Sequence, residues 1–168
     1  MRSVRSVLFA LVVALGPFAA PKAPAREIVA VRAGTPGTII VRTKERRLYY
    51  ILGNGRAVRY PVGVGRVGMQ WTGHASIEGI YVQPAWAPPA AVKRDNPNLP
   101  DYIPGGAPNN PMGAAALTLR GGEYAIHGTN RPGSIGRFVS YGCIRMYNRD
   151  VLDLMDRVQV GTPVLVTQ

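Results

Sequence analysis

Cysteine, histidine and acidic residues are scarce in this chain of 168 residues, which has one Cys, two His and 9 Asp+Glu against 20 Lys+Arg. A single cysteine excludes an intrachain disulfide framework. One cysteine and two histidines are also too few soft ligands for a structural zinc site, so we predict no metal. The excess of bases gives a formal net charge of +11, which favours an anionic partner. Basic and aromatic residues are not interleaved as in a platform that stacks bases, so we predict that nucleic acid is not the partner.

Hydrophobic residues, glycine and proline are plentiful by comparison. Hydrophobic residues make up 46% of the chain, which is enough to form a buried core. The 20 glycines and 15 prolines favour strands joined by turns over a helical bundle. The length suits one domain, or one domain behind a targeting leader.

Residues 1–25 have the pattern of a secretory signal peptide. Arg2 and Arg5 precede nine apolar residues at 7–15, and small residues at 23–25 offer a cleavage site. Nine residues are too few for a bilayer span, although an uncleaved membrane anchor is the alternative. The leader contains three basic residues and no acid, so cleavage would leave residues 26–168 with a net charge of +8. We therefore predict that the protein is exported and works outside the cytoplasm, with no membrane span after cleavage.

The remainder of the chain is predicted to be mostly β. Residues 38–42, 47–52 and 58–64 are rich in β-branched and aromatic residues, and Asn54-Gly55 suits a tight hairpin turn because both residues tolerate positive φ. Further strands are predicted at residues 76–82, 117–120, 123–127 and 163–166. One short helix is predicted after Cys143, with Asn148 as its N-cap and with apolar residues on one face.

Eight prolines lie in residues 83–114 and make regular structure unfavourable there. Irregular segments of this length within one domain are often lids or binding loops. We predict a lid in which Trp86 and Tyr102 offer apolar contact, and a loose surface excursion is the alternative.

Two short strings place the only cysteine close to a histidine and an arginine, namely His127-Gly128-Thr129 and Ser140-Tyr141-Gly142-Cys143-Ile144-Arg145-Met146. A cysteine nucleophile needs a group that takes its proton, donors for the developing oxyanion and a means of positioning the substrate. His127 could take the proton, backbone amides near Gly142 could hold the oxyanion, and Arg145 could lower the thiol pKa or clamp a carboxylate. Taken singly, these residues also suit a buried thiol, a structural histidine and a surface charge.

The same strings resemble the L,D-transpeptidase catalytic domain family, also called YkuD-like, in which a His-Gly-Thr motif precedes Ser/Thr-His-Gly-Cys-Ile-Arg-Met. Asn148 and Asp150 fit the pattern that follows the cysteine in that family. The hairpin at residues 54–65 and the segment at 109–113 are similar to family segments as well. The resemblance covers residues 37–167.

The resemblance implies a mostly β, sandwich-like domain with one short helix after the cysteine and a Pro-rich lid. It implies that Cys143 is the nucleophile and His127 the general base, acting without a cofactor on peptidoglycan stem peptides. Residues at the oxyanion and substrate-binding site would be Tyr141, Gly142, Arg145, Gly128 and Ser140. The thioester would pass to an amine of a second stem, or to an amine of a wall-anchored protein, and carbapenems would acylate the cysteine.

The chain departs from the family pattern at two places. Tyr141 stands where many members have a second histidine, so the base role stays with His127, and Tyr141 could offer its hydroxyl or form a wall of the pocket. The string from Gln70 to His74 replaces the usual Thr-Pro and glycine, and we expect His74 to be a loop residue without a catalytic role.

Two other functions are compatible with the same motifs. Water could resolve the acyl-enzyme, which would make the protein an L,D-carboxypeptidase. A non-catalytic wall-binding domain could also keep the fold, although the intact pair of His127 and Cys143 argues against this.

Overall fold

The computed structural model describes residues 26–168, so the predicted leader lies outside the described residues. The strands within this range are β1 (Glu27–Ala30), β2 (Ile39–Arg42), β3 (Arg47–Gly53), β4 (Arg56–Pro61), β5 (Val64–Gly65), β6 (Gly73–Val82), β7 (Ala115–Leu119), β8 (Ala125–His127), β9 (Phe138–Ser140), β10 (Ile144–Arg145) and β11 (Pro163–Thr167). The helices are α1 (Ala90–Asp95), α2 (Asn148–Met155) and a 3₁₀ turn at Pro132–Ser134.

Nine strands form one hydrogen-bonded sheet in the order β1-β4-β3-β2-β11-β6-β7-β8-β10, and β5 pairs separately with β9. The C-terminal strand β11 lies between β2 and β6, parallel to β2 and antiparallel to β6. The hairpin of β3 and β4 turns at Asn54 and Gly55, with φ values of 52° and 67°. Both values are those of a type I′ turn, as the Asn-Gly pair predicts.

Strand β6 connects the two halves of this sheet. Its first residues pair with β11, and its last residues pair with β7 after a register shift between Ile77 and Gly79. Such an irregularity bends a strand, so the two ends of β6 can pair with strands in differently oriented parts of the sheet. Buried residues of both halves, including Val41, Leu117 and Ile126, form one core cluster together with Leu154 of α2. The predicted mostly β, sandwich-like architecture is confirmed.

The sequence predictions of the helices need two corrections. A second helix, α1, lies inside the Pro-rich segment, in the proline-free interval that follows Pro89. Proline is common at the start of a helix, so the many prolines of this segment do not exclude a helix. They only made it hard to predict from the sequence. At the start of α2, the N-cap is Tyr147 without a side-chain capping bond, so the prediction of Asn148 as N-cap is wrong.

His74 is a strand residue and not a loop residue, because it lies in β6 opposite Leu165. In residues 26–168, no helix combines the length and the apolar character that a membrane crossing requires.

Candidate active site

The ladder of β8 and β10 brings the candidate catalytic residues to one face. The strands are parallel, with Ile144 beside Ile126 and Arg145 beside His127. The two isoleucines point into the core, each at most 1% exposed. Because side chains alternate along a strand, His127 and Arg145 point to the opposite face. Cys143 immediately precedes β10, two residues before Arg145, and shares that face.

This face forms the floor of a cleft of about 560 Å³. Cys143, His127, Arg145, Ser140 and Tyr141 all line the cleft. Of the residues predicted at the site, Gly128 and Gly142 do not line it but shape the backbone beside the histidine and the cysteine. The structure therefore brings together side chains from both motifs.

His127 is buried, and its ring is oriented by a backbone carbonyl. Nδ1 lies 2.7 Å from the carbonyl oxygen of Gly128. In the neutral ring, Nδ1 therefore carries the proton and Nε2 is the basic nitrogen. Burial, reinforced by the positive charge of Arg145, lowers the pKa of His127 to about 4, and the carbonyls of Gly128 and Pro111 oppose the shift. The ring is thus neutral at physiological pH.

Cys143 is neutral in the free protein as well. Its residue is partly exposed, yet burial raises the pKa of the thiol, and the backbone of Ala125 and the charge of Arg145 only partly offset this effect. A neutral thiol that shares a cleft with a neutral imidazole would have to lose its proton during attack on a substrate. The pKa directions of both groups therefore favour a neutral thiol and a neutral imidazole over a preformed thiolate.

Arg145 is a partly buried base that lacks a full set of partners. Its Nε atom is buried with no hydrogen-bond partner among the described residues, and burial lowers the pKa of the guanidinium. Arg131 lines the same cleft. A partly buried guanidinium whose Nε lacks a partner gains from a counter-ion, so these two bases suit a ligand that supplies an anionic group.

The tight turn before Cys143 is held by Ser140. The Ser140 hydroxyl donates to the carbonyl of Cys143 at 2.6 Å and accepts the N–H of Gly142 at 3.2 Å. The Gly142 amide is therefore engaged inside the turn. Among the described residues, the N–H of Cys143 has no backbone acceptor, which leaves it available to a group in the cleft.

Two aromatic residues that the sequence analysis missed support this turn. Trp71 and Tyr124 stack with ring centroids 5.2 Å apart and planes 7° from parallel. Trp71 Nε1 donates to the carbonyl of Gly142 at 3.0 Å. A Cβ on Gly142 would lie 2.3 Å from the Tyr124 ring, at a φ of 123°. The cysteine turn thus requires glycine for both conformation and space.

We expect Gly142→Ala to lower the free energy of unfolding by about 3 kcal/mol, because the strained φ and the ring clash add. Gly136 is a matched control, because its φ is 81° and a Cβ at that position would meet no atom within 4 Å. Gly136→Ala should cost only about 1 kcal/mol, from backbone strain alone. Urea unfolding measures both values, and equal losses in the two variants would contradict the clash.

The Pro-rich segment lies along the cleft and is tied down, which supports the lid over the loose excursion. Trp86 and Ile103 exchange two backbone hydrogen bonds of 2.8 and 2.7 Å across it. The buried Asn110 donates to the carbonyls of Pro84 and Pro104 at 2.9 and 3.0 Å. Trp86 lines the cleft, whereas Tyr102 is 62% exposed and makes no such wall.

Tyr141 ties the lid to the cysteine turn. Its hydroxyl donates to Asp95 of α1 at 2.7 Å. Arg66 pairs with the same carboxylate at 2.7 Å and lies over the Tyr141 ring, 4.1 Å from its centroid. The hydrogen bond from Tyr141, together with Arg66, lowers the pKa of Asp95, and the bond to Asp95 raises the pKa of Tyr141 although Arg66 opposes this. The residue that replaces the family's second histidine thus joins the lid to the turn, and only the spatial structure reveals its partners.

Comparison with known proteins agrees with this geometry. The family described as the L,D-transpeptidase catalytic domain, YkuD, matches residues 36–166. "Probable L,D-transpeptidase ErfK/SrfK" of Escherichia coli is 39% identical over 137 residues, which are 76% of this chain and 43% of that protein. The chain therefore spans less than half the length of this curated relative.

Solved structures show the same fold at low sequence identity. An L,D-transpeptidase from Mycobacterium smegmatis has a TM-score of 0.62 at 16% identity, over 78% of this chain and 58% of that one. L,D-transpeptidase 3 from Mycobacterium tuberculosis, in complex with a faropenem-derived adduct, has a TM-score of 0.58 at 13% identity, over 78% and 60% of the two chains. On the evidence of the matched residues and the ErfK/SrfK relative, this chain belongs to the YkuD family of L,D-transpeptidase catalytic domains.

Proposed function

We propose that the protein is a peptidoglycan L,D-transpeptidase that uses Cys143 as its nucleophile and His127 as its general base. One observation carries the proposal: a buried histidine, whose Nδ1 lies 2.7 Å from the carbonyl oxygen of Gly128, shares a cleft with the only cysteine. This arrangement leaves Nε2 as the basic nitrogen for the thiol proton.

Acylation forms one bond and breaks another. Sγ of Cys143 attacks the carbonyl carbon on the L-side of an L,D peptide bond in a stem tetrapeptide, and the thiol proton passes to Nε2 of His127. The C–N bond then breaks, the amine leaves with that proton, and a thioester remains on Cys143. His127 returns to its neutral form, which its lowered pKa favours.

Oxyanion stabilisation and substrate orientation come from the neighbouring groups. The backbone N–H of Cys143 is the first candidate donor to the oxyanion, and the Tyr141 amide is the second, because the Gly142 N–H is held by Ser140. Arg145 binds a carboxylate of the stem peptide, which gives its partly buried guanidinium a counter-ion.

Transfer to the acceptor repeats these steps in reverse order. The amine of a second stem, at its third-position diamino acid, attacks the thioester while His127 takes its proton. The S–C bond breaks, an amide forms and the thiol is restored. The lid along the cleft limits the access of water, which favours the amine as acceptor over hydrolysis. An amine on a wall-anchored protein is the other acceptor compatible with this chemistry.

The proposed location follows from the proposed substrate. Residues 1–25 act as a secretory signal, and residues 26–168 work in the periplasm or cell envelope. The excess of basic residues raises the local concentration of a wall polymer that carries carboxylates.

The deciding experiment is incubation of the purified protein with tetrapeptide muropeptides, followed by mass spectrometry of the products. We expect crosslinked dimers joined through two third-position residues. Tripeptide as the sole product would instead assign the protein as an L,D-carboxypeptidase. Unchanged substrate, together with a folded protein by circular dichroism, would support the non-catalytic wall-binding alternative.

A further inference from the structure

The side-chain oxygen of Asn148 is a junction between three parts of the chain. Oδ1 accepts the N–H of Ala114 at 3.1 Å and the N–H of Thr129 at 2.9 Å. Ala114 ends the lid segment just before β7, Thr129 follows the His127 motif, and Asn148 itself begins α2. One oxygen therefore ties the lid, the histidine loop and the helix after the cysteine to each other.

The space around this oxygen is available only because two neighbours are glycine. A Cβ on Gly113 would lie 2.2 Å from Oδ1, and a Cβ on Gly128 would lie 2.3 Å from it. No side chain larger than hydrogen fits at either position without displacing the amide group of Asn148. Both glycines thus leave room for the same oxygen, Oδ1 of Asn148.

Asn148 and His127 hold opposite edges of one peptide group. The N–H of Thr129 and the carbonyl of Gly128 belong to the same planar unit. Asn148 accepts from its N–H at 2.9 Å, and His127 Nδ1 lies 2.7 Å from its carbonyl oxygen. A hydrogen bond at one edge of an amide fixes its plane and strengthens the acceptor at the other edge.

From this chain of contacts we infer that Asn148 is a positioning residue for His127, acting through the Gly128–Thr129 peptide. It fixes the orientation of the carbonyl that keeps the imidazole proton on Nδ1, and so keeps Nε2 free to take the thiol proton. This role rests on the proposed function of the site, and it is performed without contact with the substrate.

The test compares Asn148→Ala with Asn148→Asp, which keeps an acceptor oxygen at the same reach. The rate of Cys143 acylation by the carbapenem imipenem is followed by mass spectrometry between pH 6 and pH 10. We expect Asn148→Ala to acylate about 10- to 100-fold more slowly than wild type near pH 7, and Asn148→Asp to remain within about threefold of wild type. Arg149→Ala, the adjacent exposed position on α2, is the matched control and should also remain within about threefold.

The pH dependence separates positioning from a loss of folded protein. As the pH rises, the thiolate forms without help from the base, so the deficit of Asn148→Ala should shrink. A deficit that is constant with pH would overturn the inference, as would an unchanged rate in Asn148→Ala or an equal loss in Asn148→Asp. If Asn148→Ala does not fold, Asn148→Ser carries the same test, because its shorter side chain does not reach the two amides. Absence of acylation in the wild type would refute the proposed function itself, and the inference with it.

Discussion

We expect replacement of Cys143 by serine to abolish covalent labelling by carbapenems, with an acylation rate at least about 1,000-fold below that of the wild type. A serine hydroxyl holds its proton far more tightly than a thiol, and the lowered pKa of His127 makes this imidazole a weak base. We therefore expect the pair in this cleft to activate sulfur but not oxygen. Intact-protein mass spectrometry after exposure to imipenem measures the effect, and peptide mapping locates the adduct.

The wild type should gain one adduct, mapped to the peptide that contains Cys143. An adduct of the same mass and rate in Cys143→Ser would show that another residue reacts, and the assignment of the nucleophile would be wrong. Circular dichroism of both proteins verifies that the variant is folded.

Replacement of His127 by glutamine should slow acylation by about 100- to 10,000-fold, the usual contribution of a positioned general base. The wild-type rate should fall only as the pH decreases towards about 4, because burial and Arg145 hold the pKa of His127 at about 4 and the base acts in its neutral form. A free imidazole would lose activity near pH 6.5. Acylation rates at a series of pH values from 4 to 8 locate this acid limb.

The only other histidine supplies the matched control. His74 lies in β6 and pairs with Leu165, so His74→Gln should keep both the rate and the acid limb of the wild type. The unfolded chain binds the His127 proton more readily than the folded chain, so the free energy of unfolding decreases as the pH falls from 6.5 towards 4. The folded fraction is therefore measured at each pH. An acid limb near pH 6.5, or a wild-type rate in His127→Gln, would contradict the assigned base.

The longer strands and the hairpin turn were accessible from the sequence because they depend on local patterns, whereas the short strands β1, β9 and β10 were not predicted. The β-branched and aromatic runs became β2, β3, β6 and β11, and Asn54-Gly55 took the positive φ values that these residues tolerate. Helix α1 was missed because a high proline content over the whole segment does not exclude a helix in a short interval without proline. The N-cap of α2 was misplaced because an asparagine at a helix start can bond to distant amides as readily as to its own helix.

The candidate residues of the site were also visible in the sequence, since two motifs contain Cys143, His127 and Arg145. The sequence did not show that these residues lie on one face. That arrangement depends on the parallel register of β8 and β10, two strands whose pairing is non-local. Nothing in the sequence indicated that the site depends on Trp71, Tyr124 and Asp95. Each acts through a partner far away in the chain, namely Gly142 for Trp71, the Trp71 ring for Tyr124, and Tyr141 for Asp95.

By itself, the sequence determined a mostly β chain with a Pro-rich insertion, one cysteine, and the motifs that identify its family. The tertiary structure decided which groups are charged and which are held in place. Burial raises the pKa of the Cys143 thiol and lowers that of His127, and one peptide group hydrogen-bonds both Asn148 and His127. The physical reason is that residue types and local spacing set conformational preference, whereas protonation state and orientation depend on solvent exclusion and on partners that only folding brings together.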